Sequence, residues 1–278
     1  MERTFKPNHI NATIEDLQGN NGIGRYFLLP GSDGRARKIS KLFKDVRVLE
    51  SSRSHNIYLG TLEVEGKKID VASVSTGMGC PSLDIIVNEL FKLGAKRFIR
   101  VGTAGSMQSD RIPVGHIVIA TGAVRDEHTS LNYVPLEYPS IASIEILSIA
   151  NELAKKEEYK DIAHFGIVHA KDSLFAREFK EGPMPDQNAE YMKILERSGV
   201  LASEMESSHL FVLSSLFNHK VQKVDPSDKV LAGTVLAIIG DDKQQFSNAE
   251  EVKEQAIVKT IDFGLDVIKN LALSEVNF

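Results

Sequence analysis

Val230-Leu231-Ala232-Gly233-Thr234-Val235-Leu236-Ala237-Ile238-Ile239 runs for ten positions without a charged side chain. That is about half of what a bilayer crossing needs, and its β-branched, apolar content predicts a strand buried on both faces. Such a strand must be covered on both sides, which commits the chain to layers of helix around a central sheet.

The remaining pattern repeats this theme. Short apolar runs at residues 26–29, 69–75, 97–101, 116–123 and 165–170 predict further strands. Apolar residues recur at helical spacing over 83–93, 144–155, 191–197, 208–218 and 249–271, with Ser82 capping the first helix and a bend at Gly264 in the last. No repeat or Pro/Gly/Ser-rich linker divides them. One α/β domain over residues 1–278 is expected, a three-layer α/β/α sandwich around a mixed central sheet. The charged stretches 155–161 and 220–229 read as surface loops.

Bulk properties exclude several functions. A formal net charge of −5 over 278 residues gives no basic field for nucleic acid or an anionic membrane. Residues 1–9 lack the apolar core of a secretory signal, so a cytoplasmic location is expected. The single cysteine, Cys80, leaves no intrachain disulfide and reads as a small buried side chain. No CxxC or HExxH spacing is present, and no metal site is expected. The cluster Arg35, Arg37, Lys38, Lys41 and Lys44 reads mainly as a solvated helix face.

In open α/β sheets, ligands gather at the carboxyl ends of the strands. Arg100 ends a buried apolar strand and runs into Gly102-Thr103-Ala104-Gly105, read as a glycine-rich loop. An unpaired guanidinium there is expensive, so it should meet an anion. Either a structural salt bridge or a phosphate held with Thr103 and the loop amides satisfies that need. Arg35, four residues after Gly31, is a second candidate. Glu206 suits the two adjacent hydroxyls of a ribose, or simply the start of a helix. Asp241, after the long apolar strand and beside Asp242, is a candidate general acid or a surface turn. Gly77-x-Gly79-x-x-Ser82 resembles a dinucleotide fingerprint only in part, because Lys96 and Arg97 stand where an acidic residue is required.

Taken together, Leu29-Pro30-Gly31-x-x-x-Arg35, Ser75-Thr76-Gly77-Met78-Gly79-x-Pro81-Ser82, Arg100-Val101-Gly102-Thr103-Ala104-Gly105, Pro135-Leu136-Glu137-Tyr138-Pro139 and Glu204-Met205-Glu206-Ser207 resemble the nucleoside phosphorylase superfamily of uridine phosphorylases and hexameric purine nucleoside phosphorylases. The likeness spans about residues 8–271. It implies reversible phosphorolysis of a ribonucleoside to free base and ribose 1-phosphate, with inorganic phosphate as co-substrate and no organic cofactor. Gly31, Arg35, Arg100 and Thr103 match phosphate binders, and Arg53 matches an arginine lent by a neighbouring subunit. Met205 and Glu206, with Thr103, match the ribose site, and His9 matches a histidine lent to the 5′ hydroxyl. Ala104, Gly105, Leu174, Phe175, Arg177, Glu204 and Asp241 are the residues expected around the base. The catalytic set is Arg100, Glu206 and Asp241. A homo-oligomer is implied, a hexamer of three dimers with sites completed across each dimer interface.

For the base, the resemblance divides. Uridine phosphorylases carry a glutamine and a nearby arginine after the strand near Asp172, and neither carries over onto residues 172–180. The overall likeness is nevertheless to the uridine branch. Asp241 matches the aspartate that protonates a purine leaving group, and residues 9–12 resemble the start of the hexameric purine enzymes. Ser54 stands where some uridine enzymes bind an interface potassium through glutamate, so that metal is not carried over. A hydrolytic nucleosidase of the same fold and a non-catalytic nucleoside-binding protein are the alternatives. Arg35, Arg53 and Arg100 argue against the first, and the Met205-Glu206 pair against the second.

Overall fold

In the computed structural model, which describes residues 5–220, 228–241 and 250–275, one mixed nine-stranded sheet carries the chain. In chain order the elements are α1 (Ile14–Leu17), β1 (Tyr26–Leu29), α2 (Asp33–Ser40), β2 (Lys44–Leu49), β3 (Ile57–Val64), β4 (Lys67–Val74), α3 (Cys80–Lys92), β5 (Arg97–Ser106) and β6 (Ile117–Asp126). They continue as α4 (Ile144–Leu153), β7 (Ala163–Lys171), α5 (Leu174–Arg177), α6 (Pro185–Arg197), β8 (Ala202–Glu204), α7 (Ser207–Lys220), β9 (Leu231–Gly240) and α8 (Glu250–Glu275). No described helix is long and apolar enough to cross a membrane.

The layered architecture follows from strand alternation. Phe27, Leu29, Phe98 and Leu236 face one core with Leu83, Ile86 and Leu90 of α3 and Leu210, Phe211 and Phe217 of α7. Tyr26, Leu28, Ile99 and Val235 face the opposite core with Ile146 and Ala150 of α4 and Ile261, Leu265 and Ile268 of α8. Successive residues of β1, β5 and β9 thus serve different cores, which is why these strands read as continuously apolar.

The strand order is β2-β3-β4-β1-β5-β8-β7-β6-β9, and β9 also pairs with β5, so the last five strands close on themselves. The register makes β5 the pivot. Its first half pairs with β1, ending at Leu29↔Arg100. Its far end pairs with β8 from Gly105↔Ser203. Between those two points no strand pairs with that edge of β5 among the described residues, and the sheet splits open there.

Several expectations change. Residues 102–105 are strand rather than loop, since β5 stays in register with β9 through Ala104↔Ile238. The basic cluster is not one helix face: α2 ends at Ser40, Phe43 turns into the core, and Lys44 begins β2 beside Glu63. Helix α3 starts at Cys80 with Pro81 in its first turn, and Ser82 instead donates to the Thr76 carbonyl at 2.6 Å. Strands β2 and β3 were absent from the pattern. β2 is a solvent-exposed edge rich in charge. Residues 221–227 of the expected loop 220–229 lie outside the described residues.

Ahead of the sheet, the segment around His9 is bound to one carboxylate. Glu89 of α3 accepts from the amides of Asn8 at 2.9 Å, His9 at 3.0 Å and Ile10 at 3.0 Å, and pairs with His9 Nδ1 at 2.8 Å. Burial pushes the Glu89 carboxyl up, but these donors more than offset it and hold the carboxyl below its ordinary range. Its contribution to stability is therefore complete above the unfolded value of 4.5 and is lost as pH falls through the lower folded value. The difference in Tm between the wild type and Glu89→Gln should be largest at neutral pH and shrink progressively as pH falls below 4.5. A difference constant from pH 7 down through that range refutes the assignment.

Helix α8 runs unbroken through Gly264. A Cβ there would lie 2.7 Å from Val101 Cγ1 and 3.1 Å from Leu28 Cδ2, so the glycine serves close packing on the sheet. Gly264→Ala gains about 1 kcal/mol of helix propensity but overpacks the core by about 1–3 kcal/mol. We expect thermal unfolding to show a lower Tm; a raised Tm would mean that helix and sheet yield freely.

Candidate active site

A cavity of about 940 Å³ fills the opening beside β5. Gly31 and Arg35 line one side, Arg100, Thr103, Ala104 and Gly105 the β5 wall, and Glu204, Met205 and Glu206 the other side. Leu174, Arg177 and Asp241 close its far end with Lys171, Glu178, Phe179 and Ser203.

Arg100 organises the floor. Its Nε donates to Glu204 Oε2 at 3.2 Å and its Nη2 to Glu206 Oε2, while Nη1 is buried without a hydrogen-bond partner among the described residues. Burial works against the charge, but Glu206 and Glu204 more than offset it and raise the guanidinium's pKa. Gly102 makes room for this conformation, since a Cβ there would lie 3.0 Å from Arg100 Nη2 and 2.8 Å from Leu236 Cδ2. Gly102, expected in a ligand-cradling loop, instead lets an arginine lie against its own strand.

Arg35 enters from α2, whose N-cap Ser32 accepts the Arg35 amide at 3.4 Å. Burial and then the nearby charge of Arg100 pull its pKa down, with Glu206 opposing. Two guanidinium groups that repel each other beside an unpartnered Nη1 make a site for an anion.

The two acidic residues differ. Glu204 Oε1 accepts the Ser207 amide at 2.8 Å, and Oε2 accepts the Glu206 amide at 3.0 Å as well as Arg100. Burial pushes its carboxyl up against the pull of Arg100. With both oxygens committed to Arg100 and the start of α7, Glu204 is not positioned for the base contact expected of it. Among the described residues Glu206 Oε1 accepts only the Gly79 amide, at 2.6 Å, and the carboxylate stays at the cavity. Gly79 has φ of 81° and Gly77 of 74°, and a Cβ on Gly77 would fall 2.2 Å from Ser82 Oγ. The turn that delivers the amide therefore depends on glycine.

At the far end, Phe175 turns out to solvent and packs edge-on against Phe179 with centroids 5.2 Å apart, so Phe179 takes the wall position expected of Phe175. Arg177 grips Asp126 through Nε and Nη2, both at 2.7 Å, donates to Asn188 at 2.7 Å, and covers the Tyr191 ring at 4.2 Å. It ties α5 and α6 to the strand ends. Lys171 was missed, although its signal matched that of Arg100: a cation ending a buried strand. Asp242 lies outside the described residues. Cys80 is buried, its thiol pushed up by burial, and it donates to the Met205 carbonyl at 3.2 Å.

His9 and Arg53 do not line this cavity. They share a surface patch joined by Ser51, whose Oγ donates to the His9 carbonyl at 2.6 Å and accepts the Arg53 amide at 3.2 Å. Among the described residues no group of three or more His, Cys, Asp or Glu side chains could hold a metal ion.

Comparison with known proteins agrees with this geometry. The family model described as "Phosphorylase superfamily" matches residues 25–268. A uridine phosphorylase of Treponema pallidum is 33% identical, the match covering 90% of each chain. A guanosine phosphorylase of Halorubrum lacusprofundi is 31% identical over 67% of this chain and 70% of its own. The crystal structure of uridine phosphorylase from Vibrio fischeri superposes with a TM-score of 0.72 at 26% identity, covering 96% of this chain and 98% of that one. With the cavity, the arginine floor and the acidic pair in hand, this chain belongs to the phosphorylase superfamily.

Proposed function

We propose that this protein is a nucleoside phosphorylase, a pentosyltransferase that cleaves a ribonucleoside with inorganic phosphate to free base and ribose 1-phosphate. The observation carrying this reading is the buried Arg100, held by Glu204 and Glu206 beside Arg35 with one nitrogen unpartnered. In this reading Gly31, Arg35, Arg100 and Thr103 hold phosphate, and Met205 and Glu206 hold the ribose. The anionic nucleophile approaches the anomeric carbon as the glycosidic bond lengthens. Glu206 and the phosphate oppose the positive charge developing on the sugar, and the departing base takes a proton or hydrogen bonds.

A shared site follows from the same reading. His9 and Arg53 lie together outside the cavity of their own subunit, which supports their donation to a neighbour in a homo-oligomer working in the cytoplasm. For the base, uridine is supported by relatives named for it, at 30–33% identity. A purine is the second reading, supported by Asp241 on the cavity wall and by the guanosine phosphorylase relative.

Base release from uridine, inosine, guanosine and adenosine should require added phosphate. Release at the same rate without phosphate overturns the proposal in favour of hydrolysis. Arg100→Ala should lower kcat/KM by roughly 10²–10³-fold. If Asp241 is the acid for a purine, Asp241→Asn should depress inosine or guanosine cleavage at neutral pH and spare uridine. Equal losses on both would remove that role.

A further inference from the structure

The cavity's far end is closed by a hydrogen-bond chain with a fixed direction. Asp126 and Lys171 are the last register pair of β6 and β7, and Ser203 stands on β8 opposite Gly105. His169 Nε2 meets Asp126 Oδ2 at 2.9 Å, and His169 Nδ1 meets Ser203 Oγ at 2.9 Å. A carboxylate can only accept, so Nε2 carries the ring hydrogen, and Nδ1 of the neutral ring accepts from the Ser203 hydroxyl. Ser203 Oγ then accepts from Lys171 Nζ at 2.8 Å. The same ammonium reaches the Glu204 carbonyl at 3.4 Å and the Glu178 carboxylate at 2.8 Å.

Lys171 is 2% exposed, with its hydrogen bonds spent on Ser203 and Glu204 and its charge set against Glu178. Glu178 is different. Its side chain is 25% exposed on the cavity wall, and among the described residues the only cation paired with it is Lys171. This part of the wall therefore offers a ligand a carboxylate acceptor, placed by its ion pair with Lys171.

On a nucleobase, an acceptor of this kind selects a ring N–H. Uracil carries one at N3, and hypoxanthine and guanine carry one at N1. Cytosine N3 and adenine N1 are bare lone pairs, which a carboxylate repels. The neighbouring amino group of either base brings that lone pair up against the second oxygen.

We propose that Glu178, aimed by Lys171, selects the base by accepting the ring N–H of a lactam, so that uridine, inosine or guanosine is favoured over cytidine and adenosine. This rests on the nucleoside phosphorylase reading and deepens it. Glu178 is the specificity residue and Lys171 a positioning residue. Sites built around a substrate N–H reject analogues lacking it by up to about 10⁴-fold. For a partly exposed carboxylate, roughly 10²-fold is expected.

The test needs no variant to begin. Uridine, cytidine and 3-methyluridine form one series, and inosine, adenosine and 1-methylinosine the other, each with phosphate. In whichever series the enzyme accepts, both analogues should lose about 10²-fold in kcat/KM; cytidine and adenosine lack the N–H without added bulk. The reactive series tells a pyrimidine lactam from a purine one. In Glu178→Gln the preference should fall to a few-fold. Lys171→Met should raise KM for the lactam nucleoside and leave KM for phosphate unchanged. Wild-type enzyme that cleaves cytidine or adenosine within about threefold of its lactam partner overturns the proposal. So does a Glu178→Gln variant that keeps the full preference. If no nucleoside releases base with phosphate, it is the phosphorylase reading that fails.

Discussion

A guanidinium enclosed on a central strand is the constraint around which the rest is arranged. Arg100 is 3% exposed and could not stay charged there without partners. Glu204 and Glu206 supply them, and each needs its own support. Glu204 is held by the first amides of α7 and Glu206 by the Gly79 amide before α3. The turn before α3 and the β8–α7 junction, distant in sequence, are thus fixed to one side chain of β5. Gly102 completes the arrangement by leaving space above β5.

The opening that Arg100 faces is a consequence of strand pairing. β1 stops at Leu29↔Arg100 and β8 begins only at Gly105↔Ser203, so one edge of β5 is bare in between. The loop after β1 and the β8–α7 junction flank the gap and bring Arg35 and Glu206 to the cavity. Closure of β5, β9, β6, β7 and β8 stiffens the far wall. Two ion pairs, Arg177 with Asp126 and Lys171 with Glu178, fasten the start of the α5–α6 segment across it.

Legibility of the chain followed burial. β1 and β9 were plain because both faces are apolar, whereas the exposed edge strand β2 carries Lys44, Asp45 and Arg47 and gives no such signal. Arg100 was legible as a cation out of place, and the family motifs carried Arg35, Thr103, Met205 and Glu206 to the cavity. The role of Glu204 was not legible, because sequence spacing does not reveal how many lone pairs are already taken. Nor does it say which way a short helix turns Phe175 and Phe179. Lys171 shared the signal of Arg100 but its partners come from β8 and from beyond α5, a juxtaposition only the folded chain creates.

Hydrogen-bond saturation separates the groups that shape this cavity from those able to act in it. Glu204 uses both oxygens within the protein, and Asp126 takes three bonds from His169 and Arg177. Burial would push Asp126 up, yet those donors more than offset it and keep it below the ordinary carboxylate range. Such groups gain little from a ligand and lose much if moved. Arg100, with a buried nitrogen unmatched, has the opposite character, as does Glu206 with one bond on each oxygen. Leaving a buried donor unpaired costs about 1–3 kcal/mol, a cost relieved only when an acceptor arrives. The unsatisfied positive group lies beside Arg35, and the partly exposed carboxylate of Glu178 lies on the wall beyond β8. The cavity therefore offers an unmatched donor and a carboxylate acceptor at separate places on its wall, the pairing that a molecule with an anion at one end and a hydrogen-bond donor at the other requires.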